Sequence, residues 1–209
     1  MIDNHSDCLL IIDVQNDFCA GGALEVPDGY AVVEIINTLA GRFDHRILTQ
    51  DWHPYGHHSF ASSHDGSFPF ETTELSYGSQ VLWPDHCMQG TNGAEFHPEL
   101  KTDDVELVLR KGFRREIDSY SAFFENDRKT PTGLSGYLKN RGFSKIYMAG
   151  LATDFCVAYS ALDGRREGFD VVLIEDACRA INLDNSLANA MQQMRDAGVQ
   201  VISAESLFG

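Results

Sequence analysis

Residues 145–162 read KIYMAGLATDFCVAYSAL. The first six form a short apolar run, the Gly-Leu-Ala-Thr-Asp segment makes a tight connection, and the remainder has helical spacing. A strand, a turn and a helix opening at Cys156 are therefore expected. The first turn of a helix carries unpaired N–H groups and the positive end of the macrodipole. A thiol in that position is pushed toward thiolate, its nucleophilic form. Many inert cysteines share such a setting, so Cys156 becomes a nucleophile only if a base, a cation and a substrate grip can be found elsewhere.

The same alternation extends outward from this stretch. Residues 8–13 (CLLIID) form a continuous apolar run ending in an acid, as a strand buried on both faces reads. Residues 46–53, 105–112, 170–177 and 199–204 read as further strands. Helical spacing covers 30–43, ending near Gly41, and 184–198. Another helix is expected to enter through Thr130 and Pro131 and to close near Gly142. Strands alternating with helices predict an α/β fold of three layers, with a predominantly parallel six-stranded sheet between helices. Ligands in such sheets bind beyond the carboxyl ends of the strands. Those ends carry Asp13, residues 51–53, Arg110 and Lys111, residues 150–156 and residues 175–178.

Residues 54–104 break the alternation. They show no sustained period and are rich in His, Ser, Gly, Phe and Pro, with Phe60, Phe68, Phe70, Tyr77 and Trp83 among them. So long a loop within a domain is usually functional, and its aromatics predict an ordered excursion. At 209 residues, with 43% hydrophobic and 22% charged residues, one domain spanning 1–209 is the economical expectation. No apolar stretch approaches the roughly 18 residues that a membrane span needs. A net charge of −15 argues against nucleic acid and anionic membranes. It suits a small neutral substrate, or a homo-oligomer with a well-solvated exterior. The five cysteines are odd in number and form no CxxC pair, and the N-terminus does not read as a signal peptide. Free thiols in a reducing cytoplasm are expected.

Asp13, at the expected active edge, can serve as general base and then acid. Asp17 is its nearby competitor, and a solvated strand-end acid is the plainer reading of either. Lys111 can hold a carboxylate and a thiolate in register, although Arg110, Arg114 and Arg115 show that positive charge is not rare here. In DWHPYGHHSF, Asp51 and His53 stand at i and i+2 and point to one side of a strand. His57, His58, His64, His86 and His97 add imidazoles from the excursion. A carboxylate and two imidazoles suit Zn²⁺, Fe²⁺ or Mn²⁺, with open positions for water or substrate. An assortment of surface histidines is the alternative. Trp83 can stack on a flat heteroaromatic ring or simply anchor a core. Cys87 is either a soft ligand or a buried small hydrophobe. Cys8, Cys19 and Cys178 lack the strand-turn-helix setting.

Five separated motifs occur in order: LLIIDVQNDFCAGGALEVPDG, LTQDWHPYGHHSFA, LWPDHCMQGTNGAEFHPEL, RKGFRREIDSYSAFF and AGLATDFCVAYSALDG. Together they resemble the nicotinamidase and pyrazinamidase branch of the isochorismatase-like cysteine hydrolases, over nearly the whole chain. The resemblance implies a catalytic triad of Asp13, Lys111 and Cys156. It implies a divalent metal, zinc first, on Asp51, His53 and His86, with His57 where some members place another ligand. An oxyanion hole is implied at the N–H groups of Ala152 and Cys156, with a non-proline cis peptide at Leu151–Ala152. Phe18, Trp83, Tyr120, Leu151 and Phe155 match the ring pocket; relatives often carry Tyr or His at the position of Phe155. The implied reaction converts nicotinamide and water to nicotinate and ammonia through a thioester, feeding NAD salvage, and extends to pyrazinamide.

Two rival readings remain at this point. One is another hydrolase on the same fold, such as an N-carbamoyl amide hydrolase or an isochorismatase; the isochorismatase-type reaction would not need the DWH motif with His86. A metal-binding or redox-sensing module without turnover would have no use for Asp13, Lys111 and Cys156 together.

Overall fold

Along β1 (Asp7–Ile12), Cys8, Leu10 and Ile12 join one apolar cluster while Leu9 and Ile11 join another. The period of two sends alternate residues to opposite faces, so this strand carries core on both sides. A computed structural model describes residues 2–208. The central sheet comprises β1, β2 (Arg46–Asp51), β5 (Leu107–Lys111), β6 (Lys145–Leu151), β7 (Asp170–Arg179) and β8 (Gln200–Ile202). Its order is β5-β2-β1-β6-β7-β8, and every adjacent pair is parallel. The expected six-stranded parallel sheet is present.

The helices cover both faces. Val32, Val33, Ile36 and Leu39 of α1 (Val32–Ala40) pack with Leu9, Ile11 and Leu48. Fully burying each such aliphatic side chain contributes about 1.5–3 kcal/mol. On the other face, α2 (Leu134–Arg141), α3 (Ala158–Arg166) and α4 (Ser186–Asp196) place Leu134, Leu138, Ala158, Ala161, Ala190 and Met194 against Leu10, Ile12, Met148 and Leu173. No helix among the described residues is long and apolar enough to cross a membrane.

Two local expectations are corrected. Helix α2 starts after Gly133, because Pro131 bridges Phe124 and the Thr132 N–H donates to Phe123 O at 3.0 Å, holding that stretch extended. The excursion at 54–104 contains an antiparallel hairpin, β3 (Thr72–Leu75) and β4 (Gly78–Val81). Its four-residue strands are too short for a period-two signal to emerge, and their exposed faces carry no apolar alternation. Trp83, Cys87, Ala94 and Leu100 anchor the excursion in the core on the α1 side.

The chain lays β1, β2 and β5 outward to one side, then returns to set β6 against the other side of β1. The crevice between β1 and β6 is thus the topological switch point, where open parallel sheets bind ligands. Asp13 and Cys156 lie just beyond those two strands.

Candidate active site

Asp13 leaves β1 with φ of +49°, in the left-handed region that Asp tolerates better than most residues. Its carboxylate is buried. The Thr49 hydroxyl accepts the Asp13 N–H at 3.2 Å and donates to Asp13 Oδ1 at 2.6 Å. From the end of β5, Lys111 Nζ lies 2.8 Å from Asp13 Oδ2, 2.5 Å from Asp51 Oδ1 and 3.4 Å from Cys156 Sγ. It also donates to Ser119 O at 3.0 Å. Oxygens of Asp13 and Asp51 and the Cys156 sulfur all lie within 4.8 Å of one another. Residues 38 to 143 positions apart in sequence therefore meet around one buried ammonium.

Burial opposes the Lys111 charge, but Asp13, Asp51 and Cys156 outweigh it and hold the ammonium well above its usual range. Burial likewise opposes charge on Asp51, yet Lys111 and His53 bring its carboxyl well below the ordinary value. Asp13 goes the other way: burial, reinforced by the Asp51 charge, raises it despite Lys111. The Cys156 thiol is pushed well above its usual range, by burial first and by Asp13 and Asp51, against the pull of Lys111. The expectation that the helix start favours a standing thiolate is corrected. A neutral thiol rests beside a carboxylate of raised proton affinity.

The local helix geometry differs too. A single π turn, Thr153–Val157, precedes α3, so Cys156 is its fourth residue rather than the opening one. Val157 N–H donates to Ala152 O at 3.1 Å, closing the first i→i−5 ring. The Cys156 N–H lies in that first turn, one residue before the bond. π turns inside α-helices recur at functional sites. The Leu151–Ala152 peptide is cis, as the motif resemblance implied. Gly150, with φ of +124°, sits at the shift in β6–β7 register, where a Cβ would fall 2.1 Å from Ile12 O.

From the same turn, Asp154 fastens the loop that carries Ile181. Its carboxylate accepts the Ile181 N–H at 3.1 Å, the Asn182 N–H at 2.7 Å and the Ser186 hydroxyl. Asp154→Ala leaves those donors without their acceptor, a loss of about 2 kcal/mol. The expected result in a thermal melt is a midpoint about 4–8 °C lower.

Phe18, Leu24, Trp83, Asp118, Tyr120, Ala152, Phe155 and Ile181 surround a narrow cleft with Cys156 at one side and Asp51 and His86 at another. Trp83 and Phe155 meet edge to face at 4.9 Å between centroids, and Phe155 meets Tyr120 at 5.6 Å. Flat aromatic walls of this kind suit a planar ring. Leu151 does not line the cleft; it is buried in the α1-side core, with Cδ1 toward Gly29. The cleft also brings in Leu24, Asp118 and Ile181, which the sequence did not single out. A more open surface hollow involves Asn16, Tyr30 and His97 but holds none of these groups.

Asp51, His53 and His86 converge, with His53 Nε2 3.4 Å and His86 Nε2 3.7 Å from Asp51 Oδ2. Backbone carbonyls fix both tautomers: Nδ1–H of His53 donates to Gly112 O at 2.9 Å, and that of His86 to Pro84 O at 2.8 Å. Each Nε2 lone pair then faces a carboxylate oxygen, so a cation is needed between them. Burial opposes charge on His53, but Asp51 raises its pKa, the proton filling that need in part. The donor set, with its carbonyl second shell, fits a divalent ion. Gly112 is required here: its φ is +66°, and a Cβ would lie 2.4 Å from His53 Cε1. Gln15 secures Asp51 by accepting its N–H and donating to its carbonyl, each at 2.8 Å.

His57 is not drawn into that set. Its Nδ1 accepts the Ser59 N–H at 3.2 Å and lies 2.7 Å from Ser59 Oγ, while Nε2 faces Ile117 O at 3.4 Å. It groups instead with His53 and Asp118, and burial with the His53 charge lowers its pKa to about 4. Asp17 is structural, accepting the Cys87 N–H at 2.7 Å and the Ala23 N–H at 3.1 Å. Burial raises Cys19 to about 11 and Cys178 to about 12, and neither has the Lys111 contact that Cys156 has.

The isochorismatase domain model matches residues 7–206. A nicotinamidase from Acinetobacter baylyi is 52% identical over 200 residues, covering 96% of this chain and 94% of that protein. A solved Acinetobacter nicotinamidase and pyrazinamidase superposes with a TM-score of 0.96 at 54% identity, covering 97% and 98% of the two chains. A zinc complex of a Pyrococcus horikoshii pyrazinamidase has a TM-score of 0.77 at 30% identity, covering 95% and 99%. With the family model, the sequence and the fold agreeing over almost its entire length, this chain belongs to the isochorismatase family.

Proposed function

We infer that the chain is a nicotinamidase, a cysteine amidohydrolase acting through one hydrolase domain on the carboxamide of nicotinamide and, by the same chemistry, pyrazinamide. The observation that carries this reading is the single Lys111 ammonium touching Asp13, Asp51 and Cys156, which ties a thiol nucleophile to an acid–imidazole cation site. The named relatives support the substrate.

Phe18, Trp83, Tyr120 and Phe155 grip the planar ring and exclude water from the cleft. Asp51, His53 and His86 would hold a divalent ion, zinc by donor set and by the Pyrococcus relative. When bound, the ion supplies a Lewis-acid anchor for an electron-pair donor on the substrate. Asp13 removes the Cys156 proton, and Lys111 steadies both the carboxylate and the nascent thiolate. Sulfur attacks the carboxamide carbon, and the oxyanion forms against the Ala152 and Cys156 N–H groups. One such donor is worth about 2.7–4 kcal/mol. Asp13 returns the proton to the departing nitrogen, ammonia leaves, and a thioester remains. Asp13 then deprotonates water, which attacks the thioester carbon; nicotinate leaves as Cys156 regains a proton.

All these groups come from one chain, so the chemistry needs no partner subunit. Free thiols at all five cysteines suit a reducing cytoplasm. Chelator treatment should suppress ammonia release from nicotinamide reversibly, with activity restored by added Zn²⁺, Fe²⁺ or Mn²⁺. Full activity in protein shown by elemental analysis to be metal-free would remove the ion from the mechanism.

A further inference from the structure

The β3–β4 hairpin delivers one buried amide to the ring cleft. Gln80, on β4, is 1% exposed and has every polar position engaged. Its Oε1 accepts from the Tyr77 hydroxyl at 3.0 Å and from Asn126 Nδ2 at 3.1 Å. Its two Nε2 protons are shared among Val81 O at 2.8 Å, Asp118 Oδ2 at 2.9 Å and the Tyr120 hydroxyl oxygen at 2.8 Å. The amide can face only this way. Reversed, its carbonyl would meet the Asp118 carboxylate and Val81 O, and its NH₂ would meet that of Asn126.

Trp83 Nε1–H donates to the same Tyr120 oxygen at 3.0 Å. A phenol oxygen accepts two hydrogen bonds and donates one. Both of its partners here are donor-only nitrogens, so its accepting capacity is filled and its own proton must go elsewhere. Among the described residues, the Tyr120 hydroxyl donates no hydrogen bond. Tyr120 lines the cleft beside Trp83, Phe155 and Cys156, and burial holds its phenol protonated, with a pKa well above the usual range.

We propose that Gln80 is a positioning residue for substrate binding, acting through Tyr120. It fixes the phenol as a hydrogen-bond donor toward an acceptor on the heteroaromatic carboxamide. This rests on the nicotinamide reading and deepens it: the hairpin, remote from Cys156 in sequence, helps set affinity rather than the chemical step. Gln80 holds Tyr120 in place equally in ground and transition states, and loss of such uniform binding raises KM without lowering kcat.

The test is steady-state ammonia release from nicotinamide by wild type, Gln80→Leu, Tyr120→Phe and the double variant, each at matched metal content. Gln80→Leu is expected to raise KM about tenfold, equivalent to about 1.4 kcal/mol, with kcat within about threefold. The double variant is expected to match Tyr120→Phe alone, because the Gln80 effect runs through Tyr120 and not through Asp118, its other neighbour in the cleft. An unchanged KM in Gln80→Leu, a fall confined to kcat, or multiplied KM effects in the double variant would each overturn the proposal. Should Gln80→Leu not fold, Gln80→Met keeps the side-chain length without the amide and faces the same criteria. Failure of the nicotinamide reading is separately visible, as absence of turnover by wild type.

Discussion

Cys156→Ala is expected to lower kcat for ammonia release from nicotinamide by at least about 10⁴-fold, while the protein still folds and keeps its metal. Members of a catalytic set that act as a unit lose nearly everything when the nucleophile goes. Alanine removes only the sulfur from a buried position, at a cost on the order of 1 kcal/mol. Lys111 keeps both carboxylate partners, and Asp51, His53 and His86 are untouched. Acid-quenched wild type should carry a nicotinoyl group on Cys156 by mass spectrometry, and the variant none. The other four thiols offer no substitute. Burial raises each of them, as it does Cys156, but none has the Lys111 contact that Cys156 has. Turnover near wild type in the variant would take Cys156 out of the chemistry.

How much of this was legible in the sequence differs from element to element. The parallel sheet was, because fully buried strands such as residues 8–13 read as unbroken apolar runs between helical segments. Strand-end residues were as well, since the fold class alone assigns Asp13, Asp51 and Lys111 to one edge. What the sequence could not show was which buried polar groups serve those residues. Thr49 sits within a strand and Gln80 within a four-residue hairpin strand. Both become visible only once the chain closes and each finds partners more than 30 positions away. Leu151 and His57 are misplaced by sequence for a related reason. Neighbouring a site along the chain does not fix where a side chain points: the alternation of β6 sends Leu151 to the α1-side core with Tyr147 and Ala149, and His57 is held by Ser59. The thiol's proton affinity was misjudged because helix position is a local signal, whereas burial and two carboxylates are properties of the assembled site.

That last correction makes Asp13 the decisive partner, and Asp13→Asn is expected to reduce kcat by about 10³-fold or more with metal content unchanged. General acid–base groups contribute typically 10²–10⁴-fold, and Asp13 serves in both half-reactions. The substitution is nearly isosteric, and the Thr49 hydroxyl can still donate to the amide oxygen. The cost in stability should be limited, because Lys111 retains Asp51 as its counter-ion at 2.5 Å. Residual activity should not recover on raising pH to ordinary thiolate values, since the Cys156 thiol is held well above them by burial. Metal analysis separates this role from its nearest alternative. Asp13 contacts Lys111 and Thr49 but lies outside the Asp51, His53 and His86 set. Loss of metal together with activity would place Asp13 in the cation site; loss of activity with metal retained assigns it the proton transfers that free the sulfur and release ammonia.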